Sequence, residues 1–397
     1  MAYTDAKKES RERKIWLIYS ERMSKFCDLL PANQGRQSLV SSLIKAYGLE
    51  ESCVNTLGDY RASRSELVAY HDAGFIDFLL QKRPHIDKTL PNYKEMKQLL
   101  EEKLEREKCE EFGLEHDCYV FPFMDEYVRL VAGSSILSAK TLVKESSLSS
   151  QNIVINWYGG RHHCTKRKAA GFCYINDAIL AIGLLRKKFR KVFYLDLDLH
   201  HGDGVEYGYE YSRNVFTCSI HRFDVGFYPG TGSLKSSQKN KVNIPTKRGL
   251  SDATMNYIVS QIVFPLIQEF KPNVIILQCG CDGLGMDTHK EWNMTISGYS
   301  KVIESIIRKF NPTPFMLLGG GGYNHTETAK CWTFITKSVI GTDPTWDIIP
   351  EHSYLDEYEK DGFRFWSEEN SQPLKLKDEN DEEYLEEIKS YISSLYN

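Results

Sequence analysis

The stretch Phe193–Glu206 reads "FYLDLDLHHGDGVE" and determines how the rest of the chain is interpreted. It begins with apolar, β-prone residues and then places five polar residues within eight positions: Asp196, Asp198, His200, His201 and Asp203. Side chains alternate along a strand, so Asp196, Asp198 and His200 point to one face and the intervening leucines to the other. Three like-facing polar groups at the end of a buried strand need hydrogen-bond partners or a cation.

Further apolar, β-branched runs lie on both sides of this stretch and alternate with helical patterns. The strand-like runs are "KIWLIYS", "NIVINWYGG", "NVFTCSIH", "NVIILQCGCD" and "TPFMLLGGGGY". The amphipathic runs include "YINDAILAIGLLRKKF", "SDATMNYIVSQIVFPLIQEF" and "SGYSKVIESIIRKF", with Asp252 and Ser297 as expected N-caps. This alternation predicts an α/β fold, with a mainly parallel sheet covered by helices on both faces.

Composition excludes several function classes. A formal net charge of −4 gives no reason to expect nucleic-acid or membrane binding. No apolar run approaches the roughly 18 residues of a membrane span, and the polar start "MAYTDAKKESRERK" is no signal peptide. The ten cysteines are scattered without a C-x-x-C pair, which predicts free thiols in a reducing intracellular compartment.

Two segments differ from the rest. Residues 91–111, "PNYKEMKQLLEEKLEREKCEE", are densely charged, with one helical stripe formed by Tyr93, Met96, Leu100 and Leu104. This pattern predicts a surface helix, and a partner-binding arm is the alternative. The tail, about 356–397, is acidic and then amphipathic, which predicts a solvated lead into a docked terminal helix.

Reactive residues follow four of the predicted strands, at the sheet edge where ligands bind in open α/β folds. Asp198 and His200, together with Asp282 from another strand end, offer two oxygens and one nitrogen. Three protein ligands with an open position are typical of a catalytic metal site. The set suits Zn²⁺, with Fe²⁺ or Co²⁺ as competitors, and a hydrogen-bonded carboxylate network is the alternative without a metal.

The remaining strand ends supply groups for metal-assisted hydrolysis. His162 and His163 form a candidate acid–base pair, and Asp196 and Asp203 remain available to orient them. Tyr323 follows "LGGGG", where its hydroxyl would donate to a developing oxyanion, although a tight turn with a core tyrosine explains the same pattern. The residues alone therefore indicate hydrolysis of an amide or similar carbonyl compound and leave the substrate open.

Six stretches of the chain resemble the zinc-dependent histone deacetylases, most closely class I. They are "INWYGGRHH", "AAGFCYINDAILAI", "YLDLDLHHGDGVE", "GFYPGTG", "QCGCDGL" and "LGGGGYNHTETAKCWT". The resemblance implies one arginase-like α/β domain over residues 1–397, with a core at about 14–355 and a central parallel sheet of eight strands. It also implies removal of the acetyl group from the ε-amine of lysine in proteins.

The resemblance assigns roles residue by residue. It gives Asp198, His200 and Asp282 as zinc ligands, His162 and His163 with Asp196 and Asp203 as the catalytic pairs, and Tyr323 as the oxyanion donor. Substrate contacts fall on Asp117, Gly171, Phe172, Tyr228 and His289, and an internal acetate channel on Arg36. Arg161 does not match the family at its position, and we expect it near the same channel as a ligand of the product anion. A K⁺ site would use Asp196, Asp198, His200, Ser219 and Ile220, and a second would lie near Tyr209, Ser212 and Val215.

The chain departs from the family pattern in the pocket. Tyr228 stands where the family usually has Phe, Arg161 where it usually has Trp, and His289 where it usually has Leu or Met. These departures leave the acyl-chain preference open. An amidohydrolase of acetylpolyamines or longer acyl groups, with Glu291 or Glu115 as an acidic gate, and a weakly catalytic acetyl-lysine-binding scaffold are the alternatives.

The expected partners follow from a further departure. The N-terminal loop "MSKFCDLLPANQGR", with Thr288 and Thr326, lacks the basic pattern of corepressor-bound relatives that bind an inositol phosphate. The sequence therefore predicts no such corepressor and a closer likeness to the stand-alone branch, which includes cohesin deacetylases. The resemblance implies an acetylated protein substrate, a histone or a cohesin subunit, and residence in the nucleus, with the cytoplasm as a further compartment.

Overall fold

The computed structural model describes residues 13–81, 106–145, 150–342, 346–367, 370–374 and 376–396, and within them one sheet of eight parallel strands forms the centre. The strands are β1 Arg13–Ile18, β2 Asn55–Leu57, β3 Gln151–Asn156, β4 Val192–Asp196, β5 Val215–Arg222, β6 Lys241–Thr246, β7 Val274–Gln278 and β8 Phe315–Leu318. Their order across the sheet is β2-β1-β3-β8-β7-β4-β5-β6, and every pairing is parallel. The predicted α/β fold with an eight-stranded parallel sheet is confirmed.

Helices cover both faces of this sheet. They are α1 Glu21–Cys27, α2 Arg36–Ala46, α3 Arg64–Leu67, α4 Ala73–Leu79, α5 Arg106–Glu111, α6 Met124–Lys144, α7 Asp177–Leu185, α8 Asp203–Tyr209, α9 Asp252–Ile258, α10 Phe264–Phe270, α11 Ile296–Lys309, α12 His325–Ile340 and α13 Glu382–Ser394. One face packs against α2 and α9–α13, and the other against α1 and α3–α8. No helix in the described ranges is long and apolar enough to cross a membrane.

The alternation predicted for the central strand is visible in its core contacts. Phe193 and Leu195 of β4 belong to the apolar cluster on one face, whereas Val192 and Tyr194 belong to the cluster on the other. All five residues of β4 are buried, as expected for a parallel strand covered on both sides. Asp196 lies two residues after Tyr194 and therefore on the same face of the strand. Its carboxylate accepts a hydrogen bond from the Tyr194 hydroxyl at 2.9 Å.

Both N-cap predictions are wrong by one or two residues. Ser251 caps α9 and Thr295 caps α11, with the Thr295 hydroxyl accepting from the amide of Gly298 at 2.9 Å. Asp252 instead accepts hydrogen bonds from the Thr295 amide at 2.9 Å and the Thr295 hydroxyl at 2.6 Å. Local preference assigns the Asp252 carboxylate to capping, but in the structure it joins the start of α9 to the start of α11 in a tertiary contact.

The two unusual segments have different outcomes. Of residues 91–111, only the end, helix α5, lies among the described residues, so the predicted stripe of Tyr93, Met96, Leu100 and Leu104 falls outside them. The docked terminal helix is confirmed, because α13 buries Leu385, Ile388 and Ile392 in the apolar cluster that contains Phe193 and Leu195 of β4. The ten cysteines are all free thiols.

A buried histidine links the region between α3 and α4 to the start of α7. Nε2 of His71 accepts a hydrogen bond from the amide of Asn176 at 3.1 Å. Asn176 caps α7 and donates its side-chain amide to the carbonyl of Cys164 at 2.9 Å. Burial lowers the pKa of His71 from 6.5 to about 4, so the folded chain holds the neutral imidazole that this contact needs.

This histidine predicts a pH dependence of stability. Between pH 6.5 and about 4 the unfolded chain binds a proton at His71 that the folded chain does not, so the free energy of unfolding falls as the pH falls. We expect His71→Gln to reduce the loss of stability between about pH 7 and pH 4.5 by roughly 2–3 kcal/mol in urea unfolding. His116→Asn, at an exposed histidine with φ 54°, is the control and should keep the wild-type slope. Identical slopes for His71→Gln and wild type would contradict the prediction.

Candidate metal centre and acid–base site

The four strands with reactive ends are neighbours at the centre of the sheet. They lie in the order β3, β8, β7, β4, and all are parallel. Their carboxyl ends therefore open at the same edge, as the sequence predicts. The loops after these strands bring together residues more than 150 positions apart, including His162, His200, Asp282 and Tyr323.

The predicted metal ligands Asp198, His200 and Asp282 converge at this edge. One ligand atom from each lies within 4.8 Å of the others. Nδ1 of His200 is 3.0 Å from Oδ2 of Asp282 and 3.5 Å from Oδ1 of Asp198. The loop after β4 positions the first two, and Asp282 comes from the loop after β7 and also accepts the amide of Leu199 at 3.0 Å.

The charge of this triad fits a cation. Burial disfavours an imidazolium at His200, but the carboxylates of Asp198 and Asp282 outweigh burial and raise its pKa to about 10. Burial, and then the charge of Asp198, raises the pKa of Asp282 to about 6. Asp198 and Asp282 therefore compete for one proton. A divalent cation bound by one oxygen of each carboxylate and by the nitrogen of His200 would satisfy both carboxylates better than a shared proton does. The same contacts also fit the alternative, a hydrogen-bonded carboxylate network without a metal. A measurement of metal binding distinguishes the two.

A glutamine and a glycine that sequence reasoning missed hold Asp198 in place. Its Oδ2 accepts from Nε2 of Gln278 and from the amide of Gly321, both at 2.8 Å, which leaves Oδ1 toward the triad. A Cβ at position 321 would lie 2.2 Å from Oδ2 of Asp282, so this close approach requires glycine. Gln278 is the last residue of β7. The sequence signal for its supporting role was a polar residue within the strand-like run "NVIILQCGCD".

The histidine pair lies beside the triad, and each ring has its own carboxylate. Nδ1 of His162 is 2.9 Å from Oδ2 of Asp196, and Nδ1 of His163 is 2.8 Å from Oδ1 of Asp203. The two ring centroids are 3.9 Å apart, and Nε2 of His162 is 3.8 Å from Oδ1 of Asp198. The two aspartates that the sequence left available to orient the histidines therefore each contact one of the rings.

The two imidazoles have opposite pKa shifts. Burial opposes the imidazolium of His162, but the charges of Asp196 and Asp198 prevail and raise its pKa to about 9. Burial lowers the pKa of His163 to about 4, and the neighbouring charge of His162 adds to this effect. At neutral pH one ring therefore carries a proton and the other has a free lone pair, an arrangement suited to acid–base chemistry.

Asp287, a residue that sequence reasoning missed, fixes the glycine-rich turn that ends in Tyr323. Its Oδ2 accepts the amides of Tyr323 at 2.7 Å and Asn324 at 3.1 Å, and its Oδ1 lies 2.8 Å from Nδ1 of His289. Burial holds the pKa of Tyr323 well above its usual range, so its hydroxyl remains protonated and can donate. Only the spacing of Asp287 two residues before His289 could have indicated this role.

Aromatic rings flank the triad as the resemblance implies. The ring of Phe172 is 5.7 Å from that of Tyr323, and the ring of Tyr228 is 5.0 Å from that of His163. A Cβ on Gly171 would lie 2.9 Å from the Tyr228 hydroxyl, so Tyr228 lies close to the residue that precedes Phe172. Oδ2 of Asp117 accepts the Gly171 amide at 2.9 Å, which fixes Asp117 beside the same wall.

The residues of the two predicted K⁺ sites form two compact groups. Asp196 pairs with Ser219 in the register of β4 and β5, next to Asp198 and Ile220. Farther along the chain, the amide of Ser212 donates to the carbonyl of Tyr209 at 2.8 Å, and the amide of Val215 donates to the Ser212 hydroxyl at 3.1 Å. Cation binding at both groups stays a prediction.

The predicted acetate-channel arginines are both buried behind the triad. Nη1 of Arg36 donates to the carbonyls of Gly320 and Gly322, at 3.1 and 2.9 Å. The amide of Arg161 donates to Asp177 at 2.8 Å, which fixes the loop before the histidine pair.

Comparison with known proteins gives a consistent result. The histone deacetylase domain family matches residues 30–339. The chain is 31% identical to histone deacetylase HOS1 of Saccharomyces cerevisiae, over 95% of this chain and 99% of that protein. It is 34% identical to histone deacetylase 8 of Danio rerio, covering 97% and 95%, and 34% identical to histone deacetylase 1 of Homo sapiens, covering 91% and 70%.

The support that Gln278 gives Asp198 is testable by metal binding. We expect Gln278→Leu to weaken Zn²⁺ binding by about 10–100-fold, because a ligand that loses its hydrogen-bonded support is poorly oriented. Gln151→Leu is the matched control, since this buried glutamine donates to the carbonyl of Ile307 at 2.9 Å from the opposite end of β3. Competition with a coloured chelator gives both affinities, and equal Zn²⁺ affinity in Gln278→Leu and wild type would refute the assignment.

Proposed function

The chain belongs to the class I histone deacetylase family, and from that premise we propose that it hydrolyses the acetyl amide of N6-acetyl-lysine in proteins. The observation that carries this proposal is the convergence at one sheet edge of a candidate metal triad and two histidine–aspartate pairs. The products would be acetate and a free lysine.

The triad of Asp198, His200 and Asp282 would hold the metal, which we propose is Zn²⁺. The family is zinc-dependent in general, and the O/N/O donor set and its buried negative charge support Zn²⁺, with Fe²⁺ or Co²⁺ as the other candidates. When bound, such an ion acts as a Lewis acid toward the amide carbonyl and toward water. The K⁺ groups described above are proposed to have a structural role.

The histidine pair would move the protons. His163, with its low pKa and its ring fixed by Asp203, takes a proton from the attacking water while the water oxygen bonds to the carbonyl carbon. As the carbon–nitrogen bond breaks, a protonated ring returns a proton to the leaving lysine amine. His162, whose Nδ1 lies 2.9 Å from Oδ2 of Asp196, is held beside the reacting centre and would donate a hydrogen bond to negative charge that develops there.

Tyr323 would stabilise the oxyanion. Its hydroxyl stays protonated at neutral pH because burial raises its pKa, and the ring contacts those of Phe172 at 5.7 Å and His289 at 5.0 Å between centroids. Asp287 holds the main chain of Tyr323 and therefore sets the position of the hydroxyl. A donor fixed before the reaction needs no reorganisation when charge appears, which is the main source of such stabilisation.

The entrance would favour an acylated lysine over a free lysine. Acetylation removes the charge of the amine, so the neutral alkyl chain can pass Phe172 and Tyr228 without the desolvation cost of an ammonium. Tyr228 is 42% exposed, which puts part of this wall at the surface, where a protein substrate can reach it. Asp117 and Gly171 lie beside this wall and are proposed to contact the substrate main chain.

The physiological setting is proposed from the sequence. We place the enzyme in the nucleus, with the cytoplasm as a further compartment, acting on a histone or a cohesin subunit without an inositol-phosphate-dependent corepressor. Thr288 and Thr326 support this last point, since neither offers the positive charge that a phosphate needs. Of the alternatives, an acetylpolyamine hydrolase loses one candidate gate, because Glu291 is paired with Arg222 at 3.0 Å.

The proposed function is tested by acetate release from an acetyl-lysine peptide, with and without a chelator. We expect activity that requires the metal, and a decrease in kcat of about 100–1000-fold in Tyr323→Phe, which loses the oxyanion donor. Asp198→Asn should lose both activity and tightly bound Zn²⁺.

A second tyrosine provides the matched control. Tyr299→Phe removes another buried hydroxyl, one without a hydrogen-bond partner among the described residues, and should keep wild-type activity. Full activity in Tyr323→Phe would overturn the oxyanion role. Absence of activity on every acetyl-lysine peptide, with Zn²⁺ bound, would favour a longer-acyl or acetylpolyamine hydrolase or a binding scaffold.

A further inference from the structure

A cavity of about 650 Å³ lies at the edge of the sheet opposite to the metal triad. The amino ends of β4, β5 and β6 border it together with α10 and α13. Lys191 immediately precedes β4, Phe216 is the second residue of β5, and Asn240 immediately precedes β6. The metal triad follows the carboxyl ends of the strands, so this cavity is separate from it. Its volume falls within the roughly 300–1,000 Å³ that is typical of small-molecule sites.

The floor of the cavity is apolar. Phe216, Leu266, Phe270 and Ile392 line it, and each of them is buried. The ring of Phe216 is 5.3 Å from that of Phe270 and stacks on Phe193 of β4 at 4.6 Å. The floor is therefore part of the packed core, and the apolar part of a ligand would rest on a surface that is already formed.

The wall of the cavity is positively charged and includes the lysines Lys191, Lys239 and Lys389. Among the described residues, only Lys389 of these pairs with a carboxylate, that of Glu386 at 3.0 Å. Nζ of Lys191 donates to the carbonyl of Phe270 at 2.9 Å and lies 4.9 Å from the centre of its ring, which fixes the ammonium at the border of the floor. Glu269 is the one acid among the described residues that line the cavity, although the chain as a whole has a formal net charge of −4.

The helix beside the cavity is interrupted where it borders it. Residues Val259–Val263, between α9 and α10, form a π-helical turn, and the nearby Pro265 has no amide to donate. Gln261 and Ile262 of this turn line the cavity together with Pro265. Such wide turns are rare and occur frequently at functional sites. The turn is an observation independent of the charge and the volume, and it indicates the same place.

An apolar floor with ammonium groups on the wall favours an anion that carries an apolar body. Lys191 and Lys239 would repel a cation, and an uncharged apolar molecule would gain nothing from them. A bare inorganic anion would leave the floor uncovered. Burial raises the pKa of Tyr396, which also lines the cavity, to about 12, so its hydroxyl is a further donor at neutral pH.

We propose that this cavity binds a small amphipathic anion. Its anionic head group would lie at Lys191 and Lys239, and its alkyl or aromatic body would cover Phe216 and Leu266. The site uses no residue of the metal triad or of the histidine pair, so it stands independently of the proposed function.

The proposal is tested with anilinonaphthalene sulfonate, an aromatic anion whose fluorescence increases on binding, titrated into the full chain. We expect saturable binding that Lys239→Gln weakens about 2–5-fold and the double variant Lys191→Gln/Lys239→Gln about 5–20-fold. Lys239 is exposed, so its single variant keeps the test valid if the double variant does not fold. Lys301→Gln/Lys360→Gln removes the same charge at two exposed lysines outside the cavity and should bind as wild type.

A variant that fills the cavity tests its position without changing its charge. Gln261 is exposed and lines the cavity, so Gln261→Trp should place an indole in it and weaken probe binding at least about fivefold. Unchanged probe affinity in either Gln261→Trp or the double lysine variant would overturn the site.

Competition then tests the class of ligand. Octanoate should displace the probe at a concentration at least about fivefold lower than octanol, which has the same chain without the charge, and than sodium sulfate, which has charge without the chain. Displacement by octanol or by sulfate at the same concentration as by octanoate would refute an amphipathic anion.

Discussion

The central constraint on this structure is the burial of negative charge at the ends of its middle strands. Asp198 and Asp282 are almost completely buried, and they face each other across His200. A lone buried carboxylate is very unfavourable, and two of them require either a shared proton or a cation. The surrounding main chain, from the Leu199 amide to the Gly321 amide, is arranged to donate to these oxygens.

This constraint explains why so much of the site consists of supporting contacts. Gln278 orients Asp198, Asp196 orients His162, and Asp287 orients the turn at Tyr323. Each supporting residue is buried, and each connects loops from different strands. The chemistry therefore depends on the parallel sheet, which brings the ends of β3, β8, β7 and β4 to one edge.

Much of the fold and of the site could be predicted from the sequence, because the period-two alternation of a strand and the polar residues at strand ends are local signals. They predicted the sheet, the three residues that lie together in the triad, and the two aspartates that contact the histidines. The helix caps were wrong, since Asp252 is used in a tertiary contact that no local pattern encodes. The role of Asp287 was also hidden, because it depends on which loops meet in space.

The most direct test of the account is the crystal structure of the protein with Zn²⁺, with anomalous scattering measured at the zinc edge. The account predicts one strong peak at the sheet edge, bonded to Asp198, His200 and Asp282 at about 2.0–2.2 Å. It would be contradicted if saturating Zn²⁺ gave no peak there and Nδ1 of His200 remained hydrogen-bonded to the two carboxylates.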